Sequence, residues 1–425
     1  MRILFASNPE KSVFLYLAPL AWALRTAGHE VCFAGQPALT DVITQAGLTA
    51  VPAGLFRDIP RLLRMAAADL EIERPGIPEP YDAFDDPDKA TWEYLKPGMV
   101  EAVSTMHRPP SFPLIGGLTE FALEWKPDLI IWEPLCYAGP IAAKAVGAAH
   151  ARMLFGVDVF GVVREMYTKL NAAQPAADRS DPLAEWLATY GRKYDFEYSD
   201  DMTTGHFTID QMPLSLQVEA ESLDYVRMQY VPYGGPAVVP KWLWAQPERP
   251  RVALTMGLTA TEVYNGYTIA MAEVLDSLAD LDIEVVATVA EKERKKLPTL
   301  PSNVRLESYV PWHALVPTCS AVIHHGGAAT MATNSLYPVP QLALHYHYDQ
   351  PTLGRKLAEH GAGLEMHTTV ATGDAVRASV QRLLTEPHFQ VRAQALTDEI
   401  RALPTPNQLV PQLEQLTAKY RTNGR

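Results

Sequence analysis

Cysteine is scarce: Cys32, Cys136 and Cys319 are the only three in 425 residues, far apart and each in an apolar setting. So few scattered thiols exclude a disulfide framework and lead to the expectation of reduced core cysteines in a cytoplasmic protein. Positive charge is also short. Lys and Arg number 36 against 49 Asp and Glu, a formal charge of −13. Nucleic-acid and anionic-membrane partners fall away, because binding phosphates along a surface needs a basic face. No run approaches roughly 20 apolar residues, so no membrane span is expected. The opening MRILFASNPEKS lacks the pattern of a signal peptide. The loop FASNPEKS after the first apolar run has no glycine, which removes a dinucleotide oxidoreductase. Walker phosphate loops and G-x-S-x-G are missing too, and with them nucleotide hydrolases and serine esterases.

What is present is an ordinary globular composition, 48% apolar and 20% charged, in a chain long enough for two cores. ILFAS reads as a strand, LAPLAWALRTAGHE as a helix stopped at Gly28, and VCFAG as the next strand. LIIWEP, PIAAKAVGA and HARMLFG repeat the alternation, and continuous apolar strands between helices mean a parallel sheet covered on both faces. Residues 57–115 and 160–215 break the rhythm with prolines, acidic clusters and aromatics, and read as insertions lining a cleft or seating a partner. Proline and glycine concentrate in YVPYGGPAVVPKWLWAQPERP, a linker, after which RVALTMG starts a second alternating unit. The fold class is α/β, two Rossmann-like domains with a cleft between them. In open sheets of this kind ligands sit outside the carboxyl ends of the strands.

AVIHHGGAATMATNS is strand, tight turn, helix. Gly327 and its neighbour let backbone approach a ligand, and the N–H groups of Ala328, Ala329 and Thr330 open a helix whose dipole is positive there. His325 adds a donor. Such a turn suits a diphosphate; a plain glycine turn capping a strand is the alternative. PQLALHYHYDQ then delivers Asp349 and Gln350 at a strand end, an acceptor and a donor-acceptor, as a polyhydroxyl ligand requires. Diphosphate plus hydroxylated ring means a nucleotide sugar, and Gly257 and Thr259 in LTMGLTATE stand at another strand end to meet it.

The pattern strand-HHGG-helix, VPQL, DQ and LAEHGAG resembles the donor domain of bacterial glycosyltransferases of the GT-B fold. With LAPLAWALRTAGHEV, WKPDLIIWEP, HARMLFGVD and VPWHALVPTCSAVIHHGG, the chain is similar nearly throughout to the transferases that put deoxysugars on macrolides and anthracyclines. The resemblance implies a hexosyltransferase taking a thymidine-diphosphate deoxysugar to a polyketide aglycone, with no cofactor and no metal. It implies an acceptor domain over 1–225, a linker over 226–250, a donor domain over 251–404 and a C-terminal helix over 405–425 that packs back on the first domain. Residues 309–313, Val310 and Trp312 among them, would hold the base; His325, Gly327 and Thr330 the diphosphate; Asp349 and Gln350 the sugar. Relatives of this kind often need a helper protein shaped like a haem-thiolate monooxygenase, for which residues 57–111 are the expected seat. A homodimer is also compatible with the resemblance.

Two positions depart from the family pattern. Ala329 replaces a glycine, and EKSV places Val13 where text resembling SKSH would place the histidine that deprotonates the acceptor. Valine cannot move a proton. Asp158 in FGVD is the expected substitute base, favouring transfer to a phenol or ring carbon, with Glu133 and His206 as weaker candidates and helix capping as the plain role of Asp158. By position, Phe14, Tyr16 and Tyr81 are expected to touch the aglycone. A transferase relative that lost its chemistry with the histidine, and now only binds nucleotide sugar or aglycone, is the alternative function. His345, His347 and Asp349 alternate along a strand at metal-ligand spacing, but Asp349 already has the sugar as a partner, and no metal is expected.

Overall fold

A computed structural model describes residues 1–55 and 74–422. The first half builds a parallel sheet of seven strands: β1 (Arg2–Ala6), β2 (Glu30–Gly35), β3 (Thr49–Pro52), β4 (Leu129–Trp132), β5 (Ala149–Met153), β6 (Phe207–Asp210) and β7 (Tyr225–Arg227). Their spatial order is β3-β2-β1-β4-β5-β6-β7. Every residue of β4, β5 and β6 is buried, as strands covered on both faces must be. The second half forms a parallel sheet of six strands: β8 (Arg251–Thr255), β9 (Glu284–Thr288), β10 (Val304–Glu307), β11 (Ala321–His324), β12 (Gln341–His345) and β13 (Gly363–His367). Here the order is β10-β9-β8-β11-β12-β13. In both sheets the winding reverses between the first and fourth strands, β1/β4 and β8/β11. Such a reversal opens a crevice at the strands' carboxyl ends, and that is where ligands bind in open α/β sheets.

The segment expected to be irregular after residue 57 is largely helical where it is described. A turn at Tyr81–Phe84 leads into helices Trp92–Ala102 and Arg108–Trp125, joined by one wider turn at Val103–His107. Pro109 and Pro110 fall in the first turn of the second helix, where a missing N–H costs nothing, so proline richness did not forbid helix here. Residues 57–73 of the expected helper seat lie outside the described residues. Residues 160–215 likewise hold two long helices, Val159–Ala173 and Pro182–Tyr194, each capped by an aspartate, Asp158 and Asp181.

The halves are joined by more than the linker. Helix Pro406–Tyr420 opens with a reciprocal capping box between Thr405 and Gln408 and buries Leu409, Val410 and Leu413 in the first domain's core. Ser215 of the first half donates through N and Oγ to the Glu399 carboxylate of the second, at 3.0 and 2.6 Å. The three cysteines are free, and no helix among the described residues is long and apolar enough to cross a membrane.

Candidate functional site

The donor side is built at the β8/β11 crevice. β11 runs into His325, then Gly326 turns with φ +83, a left-handed conformation that a side chain would oppose. Gly327 caps the helix Ala328–Ser335. The turn is held from below by His324, whose Nδ1 accepts the Gly326 N–H at 3.1 Å. The His325 ring is clasped by two glycines. A Cβ on Gly257 would lie 2.7 Å from it, and one on Gly327 only 2.3 Å. Glycine is therefore required on both sides for the imidazole to sit over the helix start.

Burial pushes His325 down to about 4, the nearby His347 adds to the effect, and a Thr255 backbone bond opposes it. An imidazole that low is neutral at physiological pH and offers an N–H rather than a charge. His325 shares one cavity with Thr259 and Gln350, so three of the expected donor residues come together. Val310 is buried, and Trp312 Nε1–H donates to Asn334 Oδ1 at 2.7 Å, pinning the base loop to the same helix.

Asp349 and Gln350 do not act as a parallel pair. Tyr348 just before them holds φ +48, and this turn sends the two side chains apart. Gln350 Oε1 accepts the N–H groups of Tyr346 and His347 at 3.2 and 3.1 Å, so its carbonyl is used to hold the turn. Asp349 is buried and faces the first domain, where a Cβ on Gly156 would lie 2.2 Å from its Oδ2. Burial pushes this carboxyl up to about 7, with the Val157 backbone N–H opposing.

Across the cleft, the expected base is corrected. Asp158 is fully buried and both its oxygens are engaged. Oδ2 takes Arg152 Nη2 at 2.5 Å and the Tyr225 hydroxyl at 2.7 Å, while Oδ1 accepts the Gly161 N–H at 2.9 Å. With an ion pair and two further hydrogen bonds occupying it, this buried carboxylate is out of reach of an acceptor and serves as a helix cap and charge partner. Glu133 is placed differently. It follows β4 at the first crevice, beside Asn8, which follows β1. Its Oε1 accepts the Asn8 N–H at 3.1 Å and its Oε2 that of Leu135 at 2.7 Å. Burial pushes its carboxyl up to about 7, and the Leu135 and Asn8 bonds hold it from rising further.

The aglycone contacts are also corrected. Phe14 is core, edge-on to Phe33 with centroids 4.8 Å apart. Helix Lys11–Thr26 turns Phe14, Leu17, Ala18, Ala21 and Leu24 inward and leaves Val13 half-buried. Tyr16 packs on Tyr230 with centroids 5.0 Å apart, and its buried hydroxyl has no hydrogen-bond partner among the described residues. Tyr81 is buried against Phe160, its hydroxyl bonded to His107 Nε2. Ring packing, not a free face, occupies all three.

His206, the weaker base candidate, lies away from the cleft with His150 and Asp201, their ligating atoms within 4.8 Å of one another. The hydrogen bonds speak for a clamp instead of a metal site. His150 Nδ1 accepts from Trp132 Nε1 at 3.3 Å and His206 Nδ1 from the His150 N–H at 3.1 Å. Each Nε2 therefore carries the proton and faces Asp201, whose Oδ2 also holds Lys144 Nζ at 2.6 Å. The other candidate trio disperses: His345 bonds Glu365, His347 Nδ1 meets the Arg74 carbonyl at 2.9 Å, and Asp349 turns to the first domain.

Two Rossmann-like domains meeting at their crevices, with a glycine-clasped imidazole over a helix start, define a glycosyltransferase of the GT-B fold. Residues 22–257 and 272–416 match the N-terminal and C-terminal domains described as erythromycin biosynthesis protein CIII-like, and the chain belongs to that family. It is 42% identical to the 10-deoxymethynolide desosaminyltransferase of Streptomyces venezuelae, over 99% of this chain and 98% of that one. It is 40% identical to the aclacinomycin-T 2-deoxy-L-fucose transferase of Streptomyces galilaeus, over 99% and 97%. Among solved structures, the glycosyltransferase VinC in complex with dTDP superposes with a TM-score of 0.87 at 37% identity, over 99% of this chain and 100% of VinC.

Proposed function

We propose that this enzyme moves a deoxysugar from a thymidine-diphosphate donor to a hydroxyl of a polyketide aglycone, with Glu133 taking the hydroxyl proton. The observation that carries the reading is the pairing of crevices: the diphosphate cradle at β8/β11 opposite a buried, neutral-range carboxyl at β1/β4. The acceptor oxygen attacks the anomeric carbon, its proton passes to Glu133, and the bond from that carbon to the diphosphate oxygen breaks. The nucleoside diphosphate leaves toward the backbone N–H groups and His325, which stabilise the growing negative charge. Backbone and imidazole donors suit a diphosphate bound without metal or other cofactor.

A carboxylate near 7 matches a phenol, which titrates at about 10 like tyrosine, better than an alcohol, which lies nearer water at about 15.7. That favours an aromatic aglycone. Relatives support the substrate class: one is named a TDP-daunosamine transferase, and others a desosaminyl and a deoxyfucose transferase. The free thiols fit a reducing cytoplasm. Val100 and Phe112, half exposed on the helices beyond residue 92, would add apolar area to a seat for a helper protein.

The test is turnover of the purified chain, alone and with a co-expressed helper. It is given thymidine-diphosphate deoxysugars and aromatic polyketide aglycones, with glycoside read by mass spectrometry and nucleotide release in parallel. Donor binding with no glycoside from any acceptor would replace the transferase by a binding protein.

A further inference from the structure

Among the described residues three other than glycine hold a positive φ: Lys126, Asp195 and Tyr348. Two have an ordinary reason. Lys126 and Asp195 end helices Arg108–Trp125 and Pro182–Tyr194 in the left-handed cap position. Tyr348, at φ +48, ends no helix; it stands just before Asp349, the N-cap of helix Gln350–His360. A bulky residue is strained in that conformation, and such strain persists only where neighbours enforce it. Here they do. Gln350 Oε1 holds the N–H groups of Tyr346 and His347, and the Gln350 N–H donates to the His347 carbonyl at 3.1 Å.

The strained turn delivers the Tyr348 ring across the cleft. The residue belongs to the second half, but its ring packs on the first domain's core. Its neighbour Asp349 meets Gly156 in the loop after β5, and β5 pairs with β4, the strand that leads into Glu133. Burial pushes the Tyr348 phenol well above its usual range, and the carboxyls of Asp349, Glu133 and Asp158 push it the same way. It therefore keeps its proton and offers an O–H. This buried hydroxyl has no hydrogen-bond partner among the described residues. A tyrosine hydroxyl taken out of water is normally paired, and leaving it unpaired is costly. Two unfavourable features, one in the backbone and one at the hydroxyl, thus fall on a single side chain beside Asp349 and the proposed base. A phenylalanine would fill the same space without the second of them.

We propose that the Tyr348 hydroxyl is an acceptor-binding group, donating a hydrogen bond to an oxygen on the aglycone's ring system next to the hydroxyl that Glu133 deprotonates. This rests on the transferase reading proposed above and supplies an acceptor contact that Phe14, Tyr16 and Tyr81 do not make. Tyr348 immediately precedes Asp349 and Gln350, the two residues expected at the sugar. One turn then touches sugar and aglycone together and registers the acceptor against the donor. An oxygen-bearing ring system satisfies the hydroxyl, whereas a bare hydrocarbon face leaves it unpaired, so the contact selects for oxygenated aglycones.

The test uses Tyr348→Phe, which removes the hydroxyl and keeps the ring. Quinizarin, a flat anthraquinone bearing phenol groups, serves as the acceptor probe and is titrated by fluorescence onto the full chain, with and without saturating thymidine diphosphate. Its affinity should fall roughly tenfold in the variant, the scale of a buried hydrogen bond left unmade. Thymidine diphosphate affinity should stay unchanged, and the midpoint of thermal unfolding should hold or rise, because an unpaired buried group has gone. Equal quinizarin affinity in parent and variant overturns the assignment and makes Tyr348 a packing residue; the transferase reading survives that result where the parent forms glycoside. Parallel loss of quinizarin and thymidine diphosphate binding overturns it as well, and makes the hydroxyl a support of the turn. A parent that binds no quinizarin under either condition removes the aromatic acceptor, and this inference with it.

Discussion

The Glu133 carboxylate accepts the Asn8 N–H at 3.1 Å, tying the loop after β1 to the end of β4 at the point where the sheet's winding reverses. The second oxygen takes the Leu135 N–H at 2.7 Å, and the Asn8 side chain adds a further bond, so the group is aimed by uncharged donors. Backbone donors fix a position without adding a formal charge, which leaves burial free to raise the carboxyl to about 7. An acid held there can change protonation state during turnover.

Glu133→Gln should therefore lower turnover roughly 10²–10⁴-fold, the usual worth of a general base, with thymidine diphosphate affinity unchanged. The pH dependence follows in sign. The base works deprotonated, so kcat should rise as pH increases through about 7 and level off above. Asp349 also lies at about 7, so the edge belongs to Glu133 only if it disappears from the residual rate of Glu133→Gln. An unchanged edge in that variant would assign the titration to Asp349.

Asp158→Asn should behave as a stability lesion. It removes the negative partner of Arg152, itself fully buried, and an unpaired buried charge costs about 3–5 kcal/mol. Denaturant unfolding should show the loss, and material that remains folded should keep most of its turnover. A variant of parental stability with turnover abolished would restore Asp158 as the base.

His325→Ala should weaken donor binding by about 1.5–3 kcal/mol, the worth of a hydrogen bond to a charged group. Because burial holds this imidazole near 4, donor affinity should be flat from pH 7 to 8.5. An ordinary histidine charged by the ligand would instead lose affinity over that interval as its proton was lost. The measurement uses thymidine-diphosphate glucose, whose diphosphate does not titrate there. A steady fall in affinity would mean that His325 binds as the imidazolium.

How much of this the chain disclosed depended on distance along it. The parallel sheets and the His-His-Gly-Gly turn lie in contiguous text, where period and turn chemistry operate. Phe14 was misassigned because the inward face of helix Lys11–Thr26 is set by its packing on Phe33, not by position after a strand. Asp158 looked free because Tyr225, which occupies it, is 67 residues away. Arg74 and Gly266 are 192 apart, and only the folded cleft brings them together. Hydrogen bonding at that range leaves no local signature.

The last prediction returns to Val13. It is half-buried on the first turn of helix Lys11–Thr26, beside the loop whose Asn8 holds Glu133, while its neighbour Phe14 is committed to the core. If Glu133 has taken over a proton that a histidine at position 13 would otherwise carry, the two positions serve one acceptor hydroxyl from adjoining strand ends. In the parent, Val13→His should then change turnover little, because a base is already present. In the Glu133→Gln background the same substitution should recover turnover at least about tenfold, since a positioned imidazole is itself worth about 10²–10⁴. The recovered activity should also carry the imidazole's own edge, near 6.5, in place of the carboxyl's at about 7. Recovery with that displaced edge links the two positions to one proton. A double variant as slow as Glu133→Gln, yet folded and binding donor, would show that position 13 does not reach the hydroxyl.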